Sequence, residues 1–565
     1  MLLSVDISNI TRQLAVGESH VKFKLDESLP GLIETAVESF FSVSQFSSHS
    51  CAVAAKTDGI SSEQSVSNAN THERIRFPVF FISFTFHISS QPKYIGATQK
   101  LCSNFAHKVS SYMGKIKIFC RIFVLHLQNR RKYNRIYKIF FTEEFVMNFK
   151  TMSKEKLEEI HSQLIEEYNS FKAKNLKLDM SRGKPCTQQL DLSMDMLKIN
   201  DVKAANGLEC RNYGILDGIP ECKAIFSEML EVEDKNVIVM GNSSLNVMFD
   251  YVSQCMTHGA GEAPWMQQGK IKFLCPVPGY DRHFAICEYF GIEMINVPMI
   301  DGGPDVSLIE ELIKDSSVKG MFCVPKYSNP DGRTYSDDTV RRIAALKPAA
   351  KDFRIIWDNA YIVHDLRERG DRLLNIFPEC EKNSTEDMVI EVVSTSKVTF
   401  SGAGIAALAA SDKNVEMIKK RMKTQTIGYD KINQLRHAKF LKNMDGVRAH
   451  MKKQAEIIAP KFDVVLKHFD ENLSGKGIAE WTDPNGGYFI SLNVMDGCAK
   501  RTVELCKEAG VVLTPAGATY PYGRDPRDSN IRIAPTFPPV EELELAVDLL
   551  CICIQIAAAE KLINE

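Results

Sequence analysis

The sequence predicts an α/β fold: a mostly parallel central sheet covered by helices on both sides, followed by a smaller α+β unit. Three observations carry this reading. Between residues 236 and 395, six short apolar runs alternate with helical patterns. The runs are NVIVM (236–240), IKFLC (271–275), IEMINVPM (292–299), GMFCVP (320–325), FRIIW (353–357) and MVIEVVST (388–395), and they are too apolar to keep a wet face. After about Asp430 the alternation stops, and a long charged helix leads into a unit of different texture.

The chain begins with a segment unlike the rest. Residues 1–146 hold 17 Lys+Arg against 11 Asp+Glu, a net +6, while the remainder carries −8. No acidic residue lies between Glu73 and Glu143, and GKIKIFCRIFVLHLQNRRKYNRIYKIFF (114–141) mixes bases with Phe and Ile without a sustained period. Three readings of this extension compete: an arm for nucleic acid or anionic lipid, a poorly ordered appendage, or sequence ahead of a true start at Met147 or Met152. The last two are favoured, because no helix-turn-helix or zinc pattern occurs here. From Met152 the texture changes. Leu157, Ile160, Leu164, Ile165, Tyr168 and Phe171 form one helical stripe, with Ser153 as its N-cap. Residues 147–200 are read as this helix plus a small-domain segment, 201–435 as the large domain, and 436–565 as an interdomain helix and the small C-terminal domain. In the last, Ala455, Ile457, Ile458, Phe462, Val465 and Leu466 mark the apolar side of the long helix. A terminal helix comes after Pro538-Pro539, with proline in its first turn.

Composition narrows the function. With 565 residues, 44% hydrophobic and 25% charged, the chain has enough apolar content for a sizeable core, which excludes wholesale disorder. The 69 Lys+Arg nearly balance the 71 Asp+Glu, so the molecule as a whole is not built around nucleic acid. No run approaches the roughly 18 apolar residues that a membrane span needs. The 15 cysteines include no CxxC pair, and Cys551 and Cys553 are badly spaced for zinc, so reduced thiols and no metal are expected. The N-terminal residues fit neither a signal nor a transit peptide, which makes the cytoplasm the expected location.

Ligands of an open parallel sheet gather at the carboxyl ends of its strands, so the residues just after each run are informative. NVIVM enters GNSSLN, where a glycine and two hydroxyls open a helix, an arrangement that either caps the helix or receives a phosphate. IKFLC enters PVPGYDRH, and Tyr280 there either packs in the core or stacks on a planar ligand. GMFCVP enters KYSNPDG, where Asn329-Pro330 is an ordinary turn or an amide aimed at a ligand oxygen. FRIIW ends at Asp358; a carboxylate at a buried strand tip caps the next helix or pairs with a cation such as a pyridinium nitrogen. MVIEVVST ends at Ser396-Lys397, and a partly desolvated lysine there has a lowered pKa suited to imine formation. Taken singly, the bland reading of each wins. Together, in order on consecutive strand tips, they supply a lysine, a carboxylate, a phosphate cup and a stacking ring, which is what pyridoxal 5′-phosphate demands.

On these motifs residues 150–565 resemble the fold-type I pyridoxal 5′-phosphate-dependent aminotransferases, and within them the bacterial-type aspartate aminotransferase subgroup with RGKP and STSK motifs. The resemblance implies a large domain built on a mostly parallel sheet plus a smaller α+β domain. It implies that Lys397 is the Schiff-base lysine and proton shuttle, and that Asp358 keeps the ring nitrogen protonated. Tyr361 and Asn329 would bond the ring's 3-oxygen, and Tyr280 would stack on the ring with His283 supporting Asp358. Ser243, Ser244 and Ser394 would hold the phosphate. Tyr213, in NYGILDGIPE, would reach the phosphate of a neighbouring subunit's cofactor, implying a homodimer with shared sites. Arg532, in NIRIAP, would grip the substrate α-carboxylate, and Gly183, in SRGKP, would lie in the loop that closes over it. One departure stands out: the family's phosphate-neutralising arginine, about eight residues after the lysine, is Ile405 here, leaving helix dipoles, Ser401 or another base to take its part. For the distal carboxylate of a dicarboxylic substrate, Arg182 and Lys326 are the candidates.

The implied activity is ping-pong transfer of an amino group between an amino acid and a 2-oxo acid, aspartate and 2-oxoglutarate first. The alternatives are an aromatic amino acid transaminase, a C–S lyase, or a cofactor-binding regulator whose basic N-terminal arm binds DNA. A catalytically idle relative is disfavoured by the intact lysine, aspartate and arginine.

Overall fold

The computed structural model describes residues 148–565, together with two short strands, Phe81–Ile82 and Phe119–Cys120, that pair in parallel. The other expectations for the extension lie outside the described residues. The chain divides into two units, Met1–Val146 and Met147–Glu565, and the second holds the central sheet and the site at its edge.

That sheet has eight strands: β1 (Val237–Val239), β2 (Lys272–Val277), β3 (Glu293–Ile300), β4 (Gly303–Pro304), β5 (Val318–Cys323), β6 (Arg354–Asp358), β7 (Val389–Ser394) and β8 (Ala406–Ala410). Their order across it is β1-β8-β7-β6-β5-β2-β3-β4. From β7 through β6, β5 and β2 to β3 all neighbours are parallel, whereas β8 runs antiparallel to both of its neighbours and β4 to β3. All six apolar runs become strands of this sheet. The sequence does not announce β8, because AALAA carries none of the β-branched residues that mark strands. It is buried throughout all the same, between β7 and β1.

Alternate side chains of each strand enter opposite cores. In β6, Ile355 and Trp357 join the core that holds Ile225, Val340 and Leu435, while Ile356 joins the one that holds Val252, Phe284 and Ile418. Both faces of the sheet are therefore covered by helices. Continuing the alternation, Asp358 shares the side of Ile356.

A third core fills the smaller domain and reaches across to Val324, Tyr327, Tyr361 and Leu366 of the large one. Its long helices are α1 (Lys154–Lys172), α5 (Met444–Asn472) and α6 (Val540–Asn564). They enclose an antiparallel sheet of β9 (Ala479–Trp481), β10 (Ile490–Val494) and β11 (Asn530–Ile533). Ser153 caps α1, its Oγ accepting from the Lys156 N–H at 3.4 Å. Leu157, Leu164, Tyr168 and Phe171 of the expected stripe are buried. Pro539 stands at the N-cap of α6, one position ahead of the first turn in which the sequence suggests it. Three large-domain helices complete the frame of the site: α2 (Ser244–His258), α3 (Asp281–Tyr289) and α4 (Lys431–Leu441). The twelve cysteines within residues 148–565 are buried free thiols. Among the described residues no helix is long and apolar enough to cross a membrane, and no cluster of metal-ligating side chains forms.

Candidate active site

The carboxyl ends of the parallel strands open onto one pocket of about 280 Å³, lined by Ser244, Tyr280, Asn329, Asp358, Tyr361 and Lys397 among others. Six residues singled out in the sequence thus meet in one space.

Asp358 is the last residue of β6 and is 2% exposed. Because it faces the α3 side of the sheet, His283 reaches it, with Nε2 3.0 Å from Oδ2. His283 is fixed in turn by stacking on Phe322 at 4.4 Å between ring centroids and by an edge contact with Tyr280 at 5.0 Å. The other carboxylate oxygen, Oδ1, is buried without a hydrogen-bond partner. A buried acceptor left empty is costly, and a protonated ring nitrogen is the kind of group that would satisfy it. On this observation the site fits a pyridine cofactor.

Lys397 comes three residues after β7. Burial lowers its pKa from the usual lysine value; the nearby charge of Asp358 opposes the shift and that of Arg532 adds to it. Its Nζ lies 5.0 Å from the centroid of the Tyr361 ring and 5.9 Å from that of Tyr488. This is an amine with a raised neutral fraction, as imine formation requires. Burial, with the charges of Asp358 and Asp281 adding, pushes the Tyr280 phenol up to about 12. Burial likewise holds Tyr361 well above the usual tyrosine value. Both rings are therefore neutral hydrogen-bond donors at neutral pH. Asn329, joined to Pro330 by a cis bond, accepts from Arg532 Nη1 at 3.3 Å through Oδ1, which leaves its Nδ2 to donate elsewhere.

The phosphate end is framed by the start of α2 and the turn after β7. Ser243 is the α2 N-cap, its Oγ accepting from the Asn246 N–H at 3.4 Å, and Ser244 opens the helix. Gly241 holds φ at +60°, and a Cβ there would sit 2.9 Å from Asn246 Oδ1. Ser394 donates to Ser396 at 3.1 Å, and Ser396 donates to the Asn242 carbonyl at 3.2 Å, joining the two segments. Ile405, at the position of the family arginine, is 4% exposed and belongs to the sheet core. Nearby His437 takes hydrogen bonds from Thr395 and Thr399 at Nε2, and burial lowers its pKa to about 4. It is neutral and is not the replacement cation.

Arg532 projects from β11 and is 7% exposed. Phe489 lies under its guanidinium at 4.9 Å, and Nη1 pairs with Asp281 Oδ1 at 2.7 Å. Its Nε is buried without a partner. Gly183 sits against the same Phe489: a Cβ there would fall 2.5 Å from Phe489 Cζ. The RGKP loop, Phe489 and Arg532 therefore form one stack.

One expectation is corrected, and one expected residue stands apart. Lys326 is not a base waiting for a distal carboxylate: its Nζ is 2.9 Å from both the Ile362 carbonyl and Asp365, and it is 7% exposed. Of the two candidates only Arg182, on the RGKP loop, remains. Ser401 is exposed. Tyr213 is 79% exposed and does not line the pocket within one chain.

Sequence reasoning missed Tyr488, Phe489 and Asp281. Tyr488 is 1% exposed, accepts from Gln189 at 2.9 Å and donates to the Lys397 carbonyl at 3.4 Å. Both aromatics arrive from the small domain just ahead of β10, where an apolar pattern reads only as core. Asp281 lies inside the PGYDRH motif, but its pairing depends on a strand some 250 positions away and leaves no local signal.

The geometry defines an aminotransferase-type site at the edge of a fold-type I sheet. The aspartate amino-transferase family profile matches residues 152–565. An aspartate aminotransferase of Corynebacterium glutamicum is 45% identical over 409 residues, 72% of this chain and 95% of that protein. The crystal structure of an aspartate transaminase from the same organism superposes with a TM-score of 0.73 at 43% identity, covering 74% of this chain and all of that one. An α-aminoadipate aminotransferase of Thermus thermophilus, solved with N-(5′-phosphopyridoxyl)-L-leucine, is 18% identical with a TM-score of 0.55, covering 71% of this chain and 95% of that one; it supports the fold alone. The chain belongs to the aspartate amino-transferase family and is an aminotransferase that acts on small molecules.

Proposed function

We propose that this aminotransferase uses pyridoxal 5′-phosphate to move an amino group between aspartate and 2-oxoglutarate, working as a cytoplasmic homodimer with shared sites. The observation that carries it is the convergence of a desolvated Lys397 amine and the partnerless Asp358 Oδ1 on one pocket. The identity to a C. glutamicum aspartate aminotransferase supports the choice of substrate.

Lys397, Asp358, Tyr280, Asn329 and Tyr361 would hold the ring, and Ser243, Ser244 and Ser394 the phosphate. When bound, the cofactor supplies an electrophilic aldehyde for the amino group and a ring that takes up the electron pair freed at Cα. Arg532 orients the substrate by its α-carboxylate, a bidentate grip that lysine cannot reproduce. Lys397 Nζ takes the Cα proton, and its lowered pKa provides the neutral amine needed to do so. His283 holds Asp358, whose free oxygen would pair with the ring nitrogen. Tyr488, bonded to the Lys397 carbonyl, steadies the lysine's backbone. The exposure of Tyr213 suits a role in a neighbouring subunit's site.

The test is an absorption spectrum of the cofactor-loaded protein before and after aspartate, beside Lys397→Ala. The visible band of wild type should disappear with aspartate and return with 2-oxoglutarate, while the variant does neither. A yellow protein indifferent to aspartate would sink the substrate, and one that never takes up the cofactor would sink the reading. Mixing Lys397→Ala with Tyr213→Ala chains should restore turnover if sites are shared, since each hybrid then contains one intact site.

A further inference from the structure

Arg532 already has an anion. We propose that Asp281 is a resident competitor for the substrate's α-carboxylate, released to Arg282 when substrate binds, and that this exchange sets how tightly the site holds carboxylates. The inference rests on the proposed function, in which Arg532 is the carboxylate-binding residue.

Burial creates the need for a counter-charge. A guanidinium 7% exposed must have one when no substrate is present. Asp281 supplies it, with Oδ1 2.7 Å from Nη1. The same nitrogen also donates to Asn329 Oδ1 at 3.3 Å, so both of its hydrogens are engaged, while Nε has no partner. A carboxylate gripped side-on by Nε and Nη2 leaves Asp281 on Nη1, so the incoming anion and Asp281 would share one guanidinium. One cation cannot neutralise two carboxylates, and an incoming anion beside a retained Asp281 would be repelled at short range. Moving Asp281 to another cation removes that repulsion.

The displaced carboxylate has somewhere to go. Asp281 opens α3 and its side chain is 32% exposed, unlike the arginine it pairs with. Its second oxygen, Oδ2, lies 4.0 Å from Nε of Arg282, whose side chain is 53% exposed at the rim. A small rotation moves Asp281 from Arg532 to Arg282 while it stays at the positive end of α3. Tyr280, which lines the pocket, senses both arginines and both Asp281 and Asp358, which places the exchange beside the reacting centre. Asp281 is a positioning residue here, acting through Arg532.

A residue that merely clamps the two domains gives a different signature. If Asp281 competes, Asp281→Asn keeps an acceptor for Nη1 but removes the rival charge, and carboxylates bind more tightly. Arg282→Gln takes away the alternative partner, and carboxylates bind more weakly. The experiment is calorimetric titration of the cofactor-loaded full chain with maleate, a dicarboxylate that has no amino group to react. The dissociation constant should fall on the order of fivefold in Asp281→Asn and rise by a similar factor in Arg282→Gln, the range for partly exposed charge pairs. Melting curves establish that both variants fold, and Arg282, being half-exposed, gives an arm of the test that does not disturb the core. Constants that move in the same direction, or not at all, while wild type binds maleate overturn the exchange and leave the aminotransferase reading intact. A wild type that neither binds maleate nor responds to aspartate overturns both.

Discussion

Asp358 illustrates how much one side chain depends on its support. Its Oδ2 is held by His283, so His283→Ala frees the carboxylate to turn and removes the ring that stacks on Phe322. Turnover should fall by about 10²-fold, the scale of a misplaced catalytic group, while cofactor still binds through Lys397; steady-state assays beside an absorption spectrum check both. Arg532→Lys replaces a fork with a point charge, so KM for aspartate should rise at least about tenfold, as for a lost charged hydrogen bond, with a smaller change in kcat. Gly183→Ala pushes a methyl into Phe489 Cζ at 2.5 Å, displacing the ring beneath Arg532. Its effect should appear in KM before it appears in melting temperature.

At the scale of elements, the strands and their order along the chain were legible, because a strand buried on both faces shows as an unbroken apolar run. The tips of those strands were legible for the same reason: Asp358 and Lys397 interrupt the apolar text where the sheet ends. β8 was not, since its four alanines and one leucine match no strand preference, and neither was the two-residue edge strand β4. The small domain's share of the site, Tyr488 and Phe489, was hidden because an aromatic that faces a pocket reads the same as one that faces a core. The first helix offers a direct check on local reasoning. Ser153→Ala removes the cap of α1 and should lower stability by about 1 kcal/mol without changing kcat, measured by urea unfolding beside the standard assay.

Across the whole molecule, one buried acid tunes stability with pH. Glu391, 4% exposed in β7, accepts from Asn359 at 2.8 Å; burial, with the charge of Glu231 adding, raises its pKa to about 8. The folded chain therefore binds a proton that the unfolded chain releases near the ordinary glutamate value of about 4.3. Stability should fall as pH rises between those two values, by up to about 1.4 kcal/mol per unit. Melting temperatures between pH 5 and 8 should show this slope in wild type and a flatter one in Glu391→Gln. A wild-type curve parallel to the variant's would exclude Glu391 as its cause.

The substrate grip and the reacting groups are rooted in different sheets: Arg532 stands on the small-domain sheet with Phe489 just ahead of its middle strand, and Asp358 and Lys397 stand at or just beyond strand ends of the large one. The bonds that cross between them near the site include Gly279 N–H to the Thr519 carbonyl at 2.8 Å and Arg532 to Asp281. Catalysis thus depends on alignment between two sheets, and local opening costs less free energy than global unfolding. Dilute denaturant should silence turnover while helical ellipticity is still native, so lost activity registers slippage between the halves well before the chain unfolds.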